Sequence, residues 1–226
     1  MPLDPALSQI VLWGASGHAK VLAEIIALHG ASLIGLFDND RERESPFAGV
    51  LIGHGEDDFR AFAAALPDPG EVGALAAIGG SRGRDRLHLL ALFRDAELAT
   101  PCALHPSAWI SPSATLGANC QILANATISV DARLGDACIV NTAASVDHEC
   151  VLGDGVHIGP GARLAGCVEV GDNAFIGTGA SVLPRIRIGP GAVIGAGAVV
   201  TRDVPTGAVV AGCPARPLDR RREGDR

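Results

Sequence analysis

The stretch Val146–Gly166, VDHECVLGDGVHIGPGARLAG, repeats an aliphatic residue at every sixth position. Its members are Val146, Leu152, Ile158 and Leu164, and a small or branched residue stands two positions before each of them. A period of six is neither the period of a helix nor the alternation of a long strand. One large and one small inward residue in every six predict a short strand followed by a tight corner.

The repeat runs far beyond this stretch, from Ile110 to Val200 without an insertion. Its sixteen positions are Ile110, Leu116, Ile122, Ile128, Leu134, Val140, Val146, Leu152, Ile158, Leu164, Val170, Ile176, Val182, Ile188, Ile194 and Val200. Glycine directly follows eight of the sixteen, and we expect it to relieve backbone strain at the corner. Three hexads make one triangular coil, and stacked coils bury a continuous aliphatic column. The pattern is typical of a parallel β-helix with hexapeptide repeats.

The cysteines fit the same repeat. Cys102, Cys120 and Cys138 are eighteen residues apart, so we expect them to stack one above another in successive coils. Inward thiols at this spacing are small core residues in our interpretation, rather than metal ligands or nucleophiles. Because the N-terminus shows no secretory pattern, we expect the six cysteines to be reduced.

The first hundred residues carry a different pattern, in which strands alternate with helices. QIVLWG, SLIGLFD, GVLIG and ALAAIGG read as strands, and HAKVLAEIIALHG, DDFRAFAAALP and RGRDRLHLLALFRDA read as helices. This order predicts a small Rossmann-like α/β domain with a parallel sheet. We therefore expect an α/β domain at 1–104 and a β-helix domain with a C-terminal tail at 105–226. No long linker separates them, so we expect the domains to pack together.

Composition excludes several classes of protein. The 226 residues are 48% hydrophobic, yet no apolar run is long enough to span a membrane, and the start lacks a signal peptide's features. We expect a cytoplasmic protein with no membrane partner. A net charge of −7 argues against a nucleic-acid partner. The basic tail, Arg216–Arg226, is interpreted as a solvated end.

The N-terminal turn Gly14–His18, GASGH, joins the first strand to the first helix. Backbone N–H groups at such a helix start attract phosphate, but the third glycine of a dinucleotide fingerprint is missing, which argues against NAD. Asp38 follows Gly17 by 21 residues, where a carboxylate could accept hydrogen bonds from a ribose or a base. An ordinary turn followed by a solvated loop explains the same residues equally well.

Four motifs together resemble a known family. The GASGH turn, the acidic Asp38–Asn39 pair, the strand end Ala77–Gly79 and NTAASVDHEC at Asn141–Cys150 are similar to bacterial nucleotide-amino-sugar N-acetyltransferases of the bacillosamine and perosamine type, relatives of sialic-acid O-acetyltransferases. The resemblance implies a left-handed β-helix, a homotrimer with sites between subunits, and acetyl-CoA as co-substrate without a metal. It also implies a nucleotide-activated amino sugar as acceptor.

The resemblance assigns the catalytic group to one corner of the helix. His148 would be the general base, Glu149 the carboxylate that increases its basicity, and Asn141 a hydrogen-bonding neighbour of the base or the sugar amine. An imidazole suits proton transfer at neutral pH. His148 follows the core residue Val146 by two positions, so it lies at a corner and points outward. Adjacent side chains of an extended segment point apart, so Glu149 needs a turn conformation or a neighbouring subunit to reach His148.

Further positions are implied by the same resemblance. Those for acetyl-CoA are His157, Gly166, Thr178 and Ala196, and those for the nucleotide sugar are Ser16, Gly17, His18, Asp38, Asn39 and Gly79. Gly166 would offer its N–H to the thioester carbonyl. Ala19 and Asn39 depart from the family's glycine and acidic residue, which leaves open whether the sugar is linked to UDP or to GDP.

Three other functions are compatible with parts of the sequence. The same fold and base could acetylate a hydroxyl of a sialic-acid-type sugar. A non-catalytic scaffold could bind a nucleotide sugar without using the His148–Glu149 pair. A zinc enzyme that hydrates carbon dioxide would need three histidines, for which this region offers His105, His148 and His157.

Overall fold

The computed structural model of the chain describes residues 7–218. The strands of the N-terminal part form one four-stranded parallel sheet, called sheet A. Its strands are β1 (Gln9–Trp13), β2 (Ser32–Asp38), β3 (Ile52–His54) and β4 (Val72–Ala76), in the order β3-β2-β1-β4. The helices are α1 (Gly17–Leu28), α2 (Gly55–Ala64) and α3 (Gly83–Asp95), with a 3₁₀ turn at Pro69–Glu71. The expected α/β domain is confirmed, including its short third strand.

Sheet A is buried on both faces. Aliphatic residues of α1, among them Leu22 and Ile25, pack on one face together with Ile10 and Leu12 of β1. On the other face, aromatic side chains form a cluster of edge-to-face and tilted contacts. Its members are Trp13, Phe37, Phe59, Phe62 and Phe93. The domain therefore has a core of its own on each side of the sheet.

The rest of the chain winds through two-residue strands, six residues apart. They are β5 (Ala103–Leu104), β6 (Trp109–Ile110), β7 (Thr115–Leu116), β8 (Gln121–Ile122), β9 (Thr127–Ile128), β10 (Arg133–Leu134), β11 (Ile139–Val140), β12 (Ser145–Val146), β13 (Val151–Leu152), β14 (His157–Ile158), β15 (Arg163–Leu164), β16 (Glu169–Val170), β17 (Phe175–Ile176), β18 (Ser181–Val182), β19 (Arg187–Ile188), β20 (Val193–Ile194) and β21 (Val199–Val200). β22 (Val209–Ala211) and β23 (Arg216–Pro217) follow. This is the predicted left-handed parallel β-helix.

From β5 to β18, each strand pairs in parallel with the strand eighteen residues later, which produces three sheets. At the end of the helix, β20 pairs with β22 at a spacing of sixteen, and β23 is antiparallel to β22. Sheet B contains β5, β8, β11, β14, β17, β20, β22 and β23; sheet C contains β6, β9, β12, β15, β18 and β21; sheet D contains β7, β10, β13, β16 and β19. Every one of the sixteen predicted hexad positions is the second residue of a strand. Leu104 adds one hexad at the start that the sequence analysis did not count. The repeat ends after Val200, as expected, because Ile188 bridges Val204 at a spacing of sixteen residues and not eighteen.

The inward residues form one continuous column, as the pattern predicts. Cys102, Cys120 and Cys138 are buried in it, and their thiols donate to carbonyls of the neighbouring coil at 3.1–3.2 Å. Burial also raises the pKa of the Cys150 thiol to about 11. These cysteines are therefore unreactive core residues, and the prediction for the column is confirmed.

The expected role of the glycines after the strands is wrong. The left-handed backbone falls two positions later, at residues such as Asn119, Asp131 and Glu149, whose φ values are 57–58°. The glycines that directly follow the strands are needed because the coils approach closely. A Cβ on Gly177 would lie 2.6 Å from the carbonyl oxygen of Ile194 in the next coil, which no side chain tolerates.

The α/β domain packs against sheet B, as expected from the short connection. Arg86 of α3 is 0% exposed and donates to three carbonyls: Ala137 at 2.9 Å, Gly155 at 2.6 Å and Ile78 at 3.2 Å. Within residues 7–218, sheets C and D are not covered by the α/β domain. No helix of this part of the chain is long and apolar enough to cross a membrane. Residues 219–226, which carry most of the basic tail, lie outside the described residues.

Candidate active site

The first group of predicted residues lies at the corner between sheets C and D. His148 is at the turn between β12 and β13, and its side chain is 48% exposed. Its Nδ1 lies 3.1 Å from Oε2 of Glu149. If Nδ1 carries the ring proton and donates it to the carboxylate, Nε2 is left as the proton acceptor. Among residues 7–218, nothing hydrogen-bonds to Nε2.

Glu149 reaches its neighbour through the turn conformation that the sequence analysis required. Its φ of 58° places it in the left-handed region, which a glutamate rarely adopts. The coil stabilises this geometry, since the Glu149 N–H donates to the Val130 carbonyl at 2.9 Å. The same left-handed turn recurs at this register in other hexads, for example at Ala137, Ala143 and Cys167, so it belongs to the repeat. No second subunit is needed to bring the two side chains together.

Gly166 lies one coil beyond His148, at the same corner. A Cβ at this position would overlap the His148 imidazole, at Nε2 and Cε1. The ring therefore rests on the glycine backbone, in space that any other residue would fill. The Gly166 N–H has no acceptor within residues 7–218, so a free donor lies beside the imidazole.

The second histidine of the opening stretch has a different environment. His157 is 4% exposed, because the α/β domain covers sheet B there. Its Nδ1 donates to the Gly80 carbonyl at 3.1 Å, and its Nε2 accepts from Nδ2 of Asn141 at 3.2 Å. The Thr142 N–H donates to Asn141 Oδ1 and so fixes which way the amide points. Burial lowers the pKa of His157 to about 3, and the charge of Arg86 adds to the shift.

The predicted sugar-nucleotide residues meet at one edge of sheet A. They follow the carboxyl ends of three adjacent strands: Ser16, Gly17 and His18 after β1, Asp38 and Asn39 at the end of β2, and Gly79 after β4. Ligands of parallel sheets bind at this edge. The oxygens of Asp38 already accept the N–H groups of Ala15 (2.8 Å) and Asp40 (3.0 Å). Asp38 therefore shapes the turn, whatever else it binds.

His18 links this edge to the β-helix. Its Nε2 lies 2.6 Å from Oε1 of Gln121, whose amide group donates to the Ala76 carbonyl at 2.7 Å. The amide orientation makes His18 Nε2 the donor, which leaves Nδ1 as an acceptor. Burial lowers the pKa of His18, although the hydrogen bond to Gln121 acts in the opposite direction. Gly79 lies close to His157, so this edge and the Asn141–His157 pair form one continuous region.

Thr178 and Ala196 lie at the corner between sheets B and C. They are eighteen residues apart, both are exposed, and the Gly197 N–H donates to the Thr178 carbonyl at 2.8 Å. Within one chain, the predicted site residues thus fall into two groups. His148, Glu149 and Gly166 lie at the corner between sheets C and D. Asn141, Thr178 and Ala196 lie at the corner between sheets B and C, and His157 lies beside Asn141 in β14 of sheet B.

Sequence reasoning missed two residues that position the site. Gln121 and Arg86 are both 0% exposed and connect the domains, but their partners lie 45 and 51 residues away in the chain. Burial lowers the pKa of Arg86 to about 10, so it remains charged at neutral pH. Only Gln121 could have been found from the sequence, because a polar residue between Cys120 and Ile122 in an apolar stretch indicates a buried hydrogen bond.

The three-histidine zinc site does not form. His105 bonds to Ser107 in the first coil, His148 is at an exposed corner, and His157 is buried under the α/β domain. Within residues 7–218, the one set of three or more ligand-type side chains that could hold a metal is His148, Glu149 and Cys167.

Comparison with known proteins agrees with this geometry. The PglD N-terminal domain family matches residues 9–88, and the bacterial transferase hexapeptide family matches residues 167–202. PerB from Caulobacter crescentus, solved with CoA and GDP-perosamine, is 35% identical, with a TM-score of 0.84 over 93% of this chain and 97% of that chain. The acetyltransferase domain of PglB from Neisseria gonorrhoeae FA1090, solved with acetyl coenzyme A, is 34% identical, with a TM-score of 0.82 over 93% and 99%.

A third solved structure, WeeI from Acinetobacter baumannii AYE, is 26% identical, with a TM-score of 0.82 over 92% of this chain and 99% of that chain. The Caulobacter perosamine N-acetyltransferase was also solved with one histidine replaced by asparagine or by alanine. A comparison of the sequence with curated proteins found no match. Fold and matched domains place the chain among the bacterial hexapeptide transferases. At this identity and coverage, it belongs to the nucleotide-amino-sugar N-acetyltransferase family.

Proposed function

We propose that the chain transfers the acetyl group of acetyl-CoA to the 4-amino group of a nucleotide-linked amino-deoxy sugar, with His148 as the general base. The observation that carries this assignment is the His148 corner itself. Its imidazole is exposed, one nitrogen faces a carboxylate at 3.1 Å, and the other has no partner within residues 7–218. PerB was solved with CoA and GDP-perosamine, and the PglB domain with acetyl coenzyme A.

The chemistry needs one proton acceptor and one hydrogen-bond donor. Nε2 of His148 would accept the proton that the sugar amine releases as its nitrogen bonds to the acetyl carbon, and would return it to the departing thiolate. The Gly166 N–H, free and beside the imidazole, would donate to the carbonyl oxygen as negative charge develops on it. Glu149 would hold the ring and stabilise its protonated form.

We infer a division of labour between the domains, with residues 1–104 binding the nucleotide sugar and residues 105–226 carrying out the transfer. The edge of sheet A gathers Ser16, Gly17, His18, Asp38, Asn39 and Gly79 where α1 begins. Phosphate binds well at such a helix start. UDP- and GDP-linked sugars both remain candidates.

The acceptor and the base are best brought together by a homotrimer. Sheets C and D are uncovered, and exposed apolar side chains such as Trp109, Val130 and Val151 lie on them or at the corner that joins them. Within a single chain, the two groups of site residues also lie at different corners of the β-helix, on either side of sheet C. A neighbouring subunit could place its own Asn141, Thr178 and Ala196 against the His148 corner. This arrangement would complete the site and cover the exposed apolar residues. The six free cysteines fit a reducing compartment, which supports a cytoplasmic location.

The test is release of free thiol from acetyl-CoA with the purified protein and a panel of UDP-, GDP- and dTDP-linked 4-amino-4,6-dideoxy sugars. We expect release with at least one sugar and an acetylated product with one new amide. A parallel assay uses a sialic-acid-type sugar, and release only with this hydroxyl acceptor would mean O-acetylation. Binding of nucleotide sugar without release from any acceptor would mean a scaffold.

A further inference from the structure

We propose that His148, Glu149 and Cys167 form an inhibitory binding site for a zinc ion. Within residues 7–218, they are the one set of three whose nitrogen, oxygen and sulfur ligand atoms all lie within 4.8 Å of one another. Nδ1 of His148 is 3.1 Å from Oε2 of Glu149, and Sγ of Cys167 is 3.7 Å from the same oxygen. The proposal rests on the assigned role of His148 in acetyl transfer.

The coil geometry brings Cys167 to this place. It lies eighteen residues after Glu149, and its N–H donates to the His148 carbonyl at 2.9 Å. The two residues have nearly the same left-handed backbone, with φ values of 58° and 61°, so their side chains leave the coil in the same direction. Cys167 is half-buried at the corner, unlike the buried thiols of the core column.

The three atoms suit zinc in chemistry and in spacing. Zinc binds imidazole nitrogen, carboxylate oxygen and thiolate sulfur, with bonds of about 2.0–2.3 Å. The ligand atoms of a tetrahedral site with such bonds lie about 3.3–3.5 Å apart. The two separations from Glu149 Oε2 differ from these values by only a few tenths of an ångström, and the ligand atoms of His148 and Cys167 lie within 4.8 Å of each other. Carboxylate and thiolate would balance the charge of the ion, and the fourth position would be left for water or a substrate thiol.

Such an ion would block the proposed base directly. Zinc on Nδ1 needs the lone pair of that nitrogen, so the ring proton would move to Nε2 and the imidazole would stay neutral. Nε2 could then no longer accept a proton from the sugar amine, and Glu149 would be engaged by the metal. The Cys167 thiol would lose one proton to solvent. The ion is thus an inhibitor in this proposal, distinct from a metal cofactor.

The binding test uses Co²⁺ as a spectroscopic probe, because a cobalt–thiolate bond absorbs strongly in the near ultraviolet. We expect this band with the purified protein, its loss on addition of Zn²⁺, and its absence in Cys167→Gly. Glycine suits the left-handed corner, as at Gly155 and Gly161. Cys213→Ser removes the exposed cysteine and should leave the band unchanged. A band that survives in Cys167→Gly, or no band at all, would overturn the proposal.

Inhibition gives the second readout. We expect Zn²⁺ to stop acetyl transfer reversibly, with recovery after a chelator is added. Loss of one ligand should raise the zinc concentration for half-inhibition at least about tenfold in Cys167→Gly, relative to that variant's own uninhibited rate. Equal zinc sensitivity of wild type and variant would contradict the site. A cobalt band that depends on Cys167, in a protein that acetylates none of the sugars, would reject the proposed function but not the zinc site. Acetyl transfer without such a band would reject the zinc site but not the proposed function.

Discussion

The two histidines of the Val146–Gly166 stretch lie half a coil apart in the same repeat, yet the fold gives them opposite properties. His148 is at a corner between uncovered sheets and has a carboxylate at 3.1 Å. His157 is 4% exposed and contacts a carbonyl, an amide and the edge of an aromatic ring. The difference comes from the α/β domain, which covers sheet B and leaves sheets C and D free. The different burial of the two histidines is therefore set by the α/β domain.

Replacing His148 tests this comparison most strongly. We expect His148→Ala to lower kcat at least about a hundredfold, the usual scale for a general base. Its melting temperature should change little, because the side chain is 48% exposed. Thiol-release kinetics and a thermal melt measure the two quantities. Normal turnover in the variant would show that the exposed corner is not the catalytic one.

Arg86 tests what covers His157. Arg86→Met removes donors to three carbonyls, two of them on the β-helix, and we expect a loss of about 2 kcal/mol in the free energy of unfolding. Denaturant melts give this value. Arg84→Ala, an exposed change on the same helix, is the matched control and should stay within about 0.5 kcal/mol of wild type. Equal stability of the two variants would mean that Arg86 does not hold the domains together.

A substitution at Gly166 tests whether the space beside the His148 imidazole matters for activity. We expect Gly166→Ala to lower kcat about tenfold, because a Cβ overlaps the imidazole and must displace it. In the His148→Ala background, the same change should cost almost nothing, since no ring remains to be displaced. Additive losses in the double variant would mean that Gly166 acts through its backbone or the coil instead.

The sequence predicts the β-helix better than the site. Positions such as Ile158 and Cys138 were predictable because the interior of a coil accepts only one kind of residue at each register. The glycines were found but explained wrongly, since their reason lies in the next coil, eighteen residues away. Arg86 was missed because it bonds to carbonyls, which leave no mark in the sequence. The contact between His148 and Glu149 depends on the left-handed turn at Glu149, which recurs at the same register along the repeat and which the glycine pattern had placed two positions too early.

The last prediction concerns the charge of His157. Its pKa in the folded protein, about 3, is below the ordinary value of 6.5. Below pH 6.5 the unfolded chain therefore binds a proton that the folded chain does not, so stability falls as the pH falls from about 6.5 towards 3. We expect His157→Asn, whose amide can still donate to Gly80, to reduce this slope by about 1 kcal/mol per pH unit.

Denaturant melts between pH 7 and pH 4 give the change in the free energy of unfolding per pH unit for wild type and for His157→Asn. This slope can be compared even if the two proteins differ in stability at neutral pH. The buried His18 also has a lowered pKa, so part of the slope should survive in the variant. Equal slopes for His157→Asn and wild type would mean that burial under the α/β domain does not suppress the charge of His157.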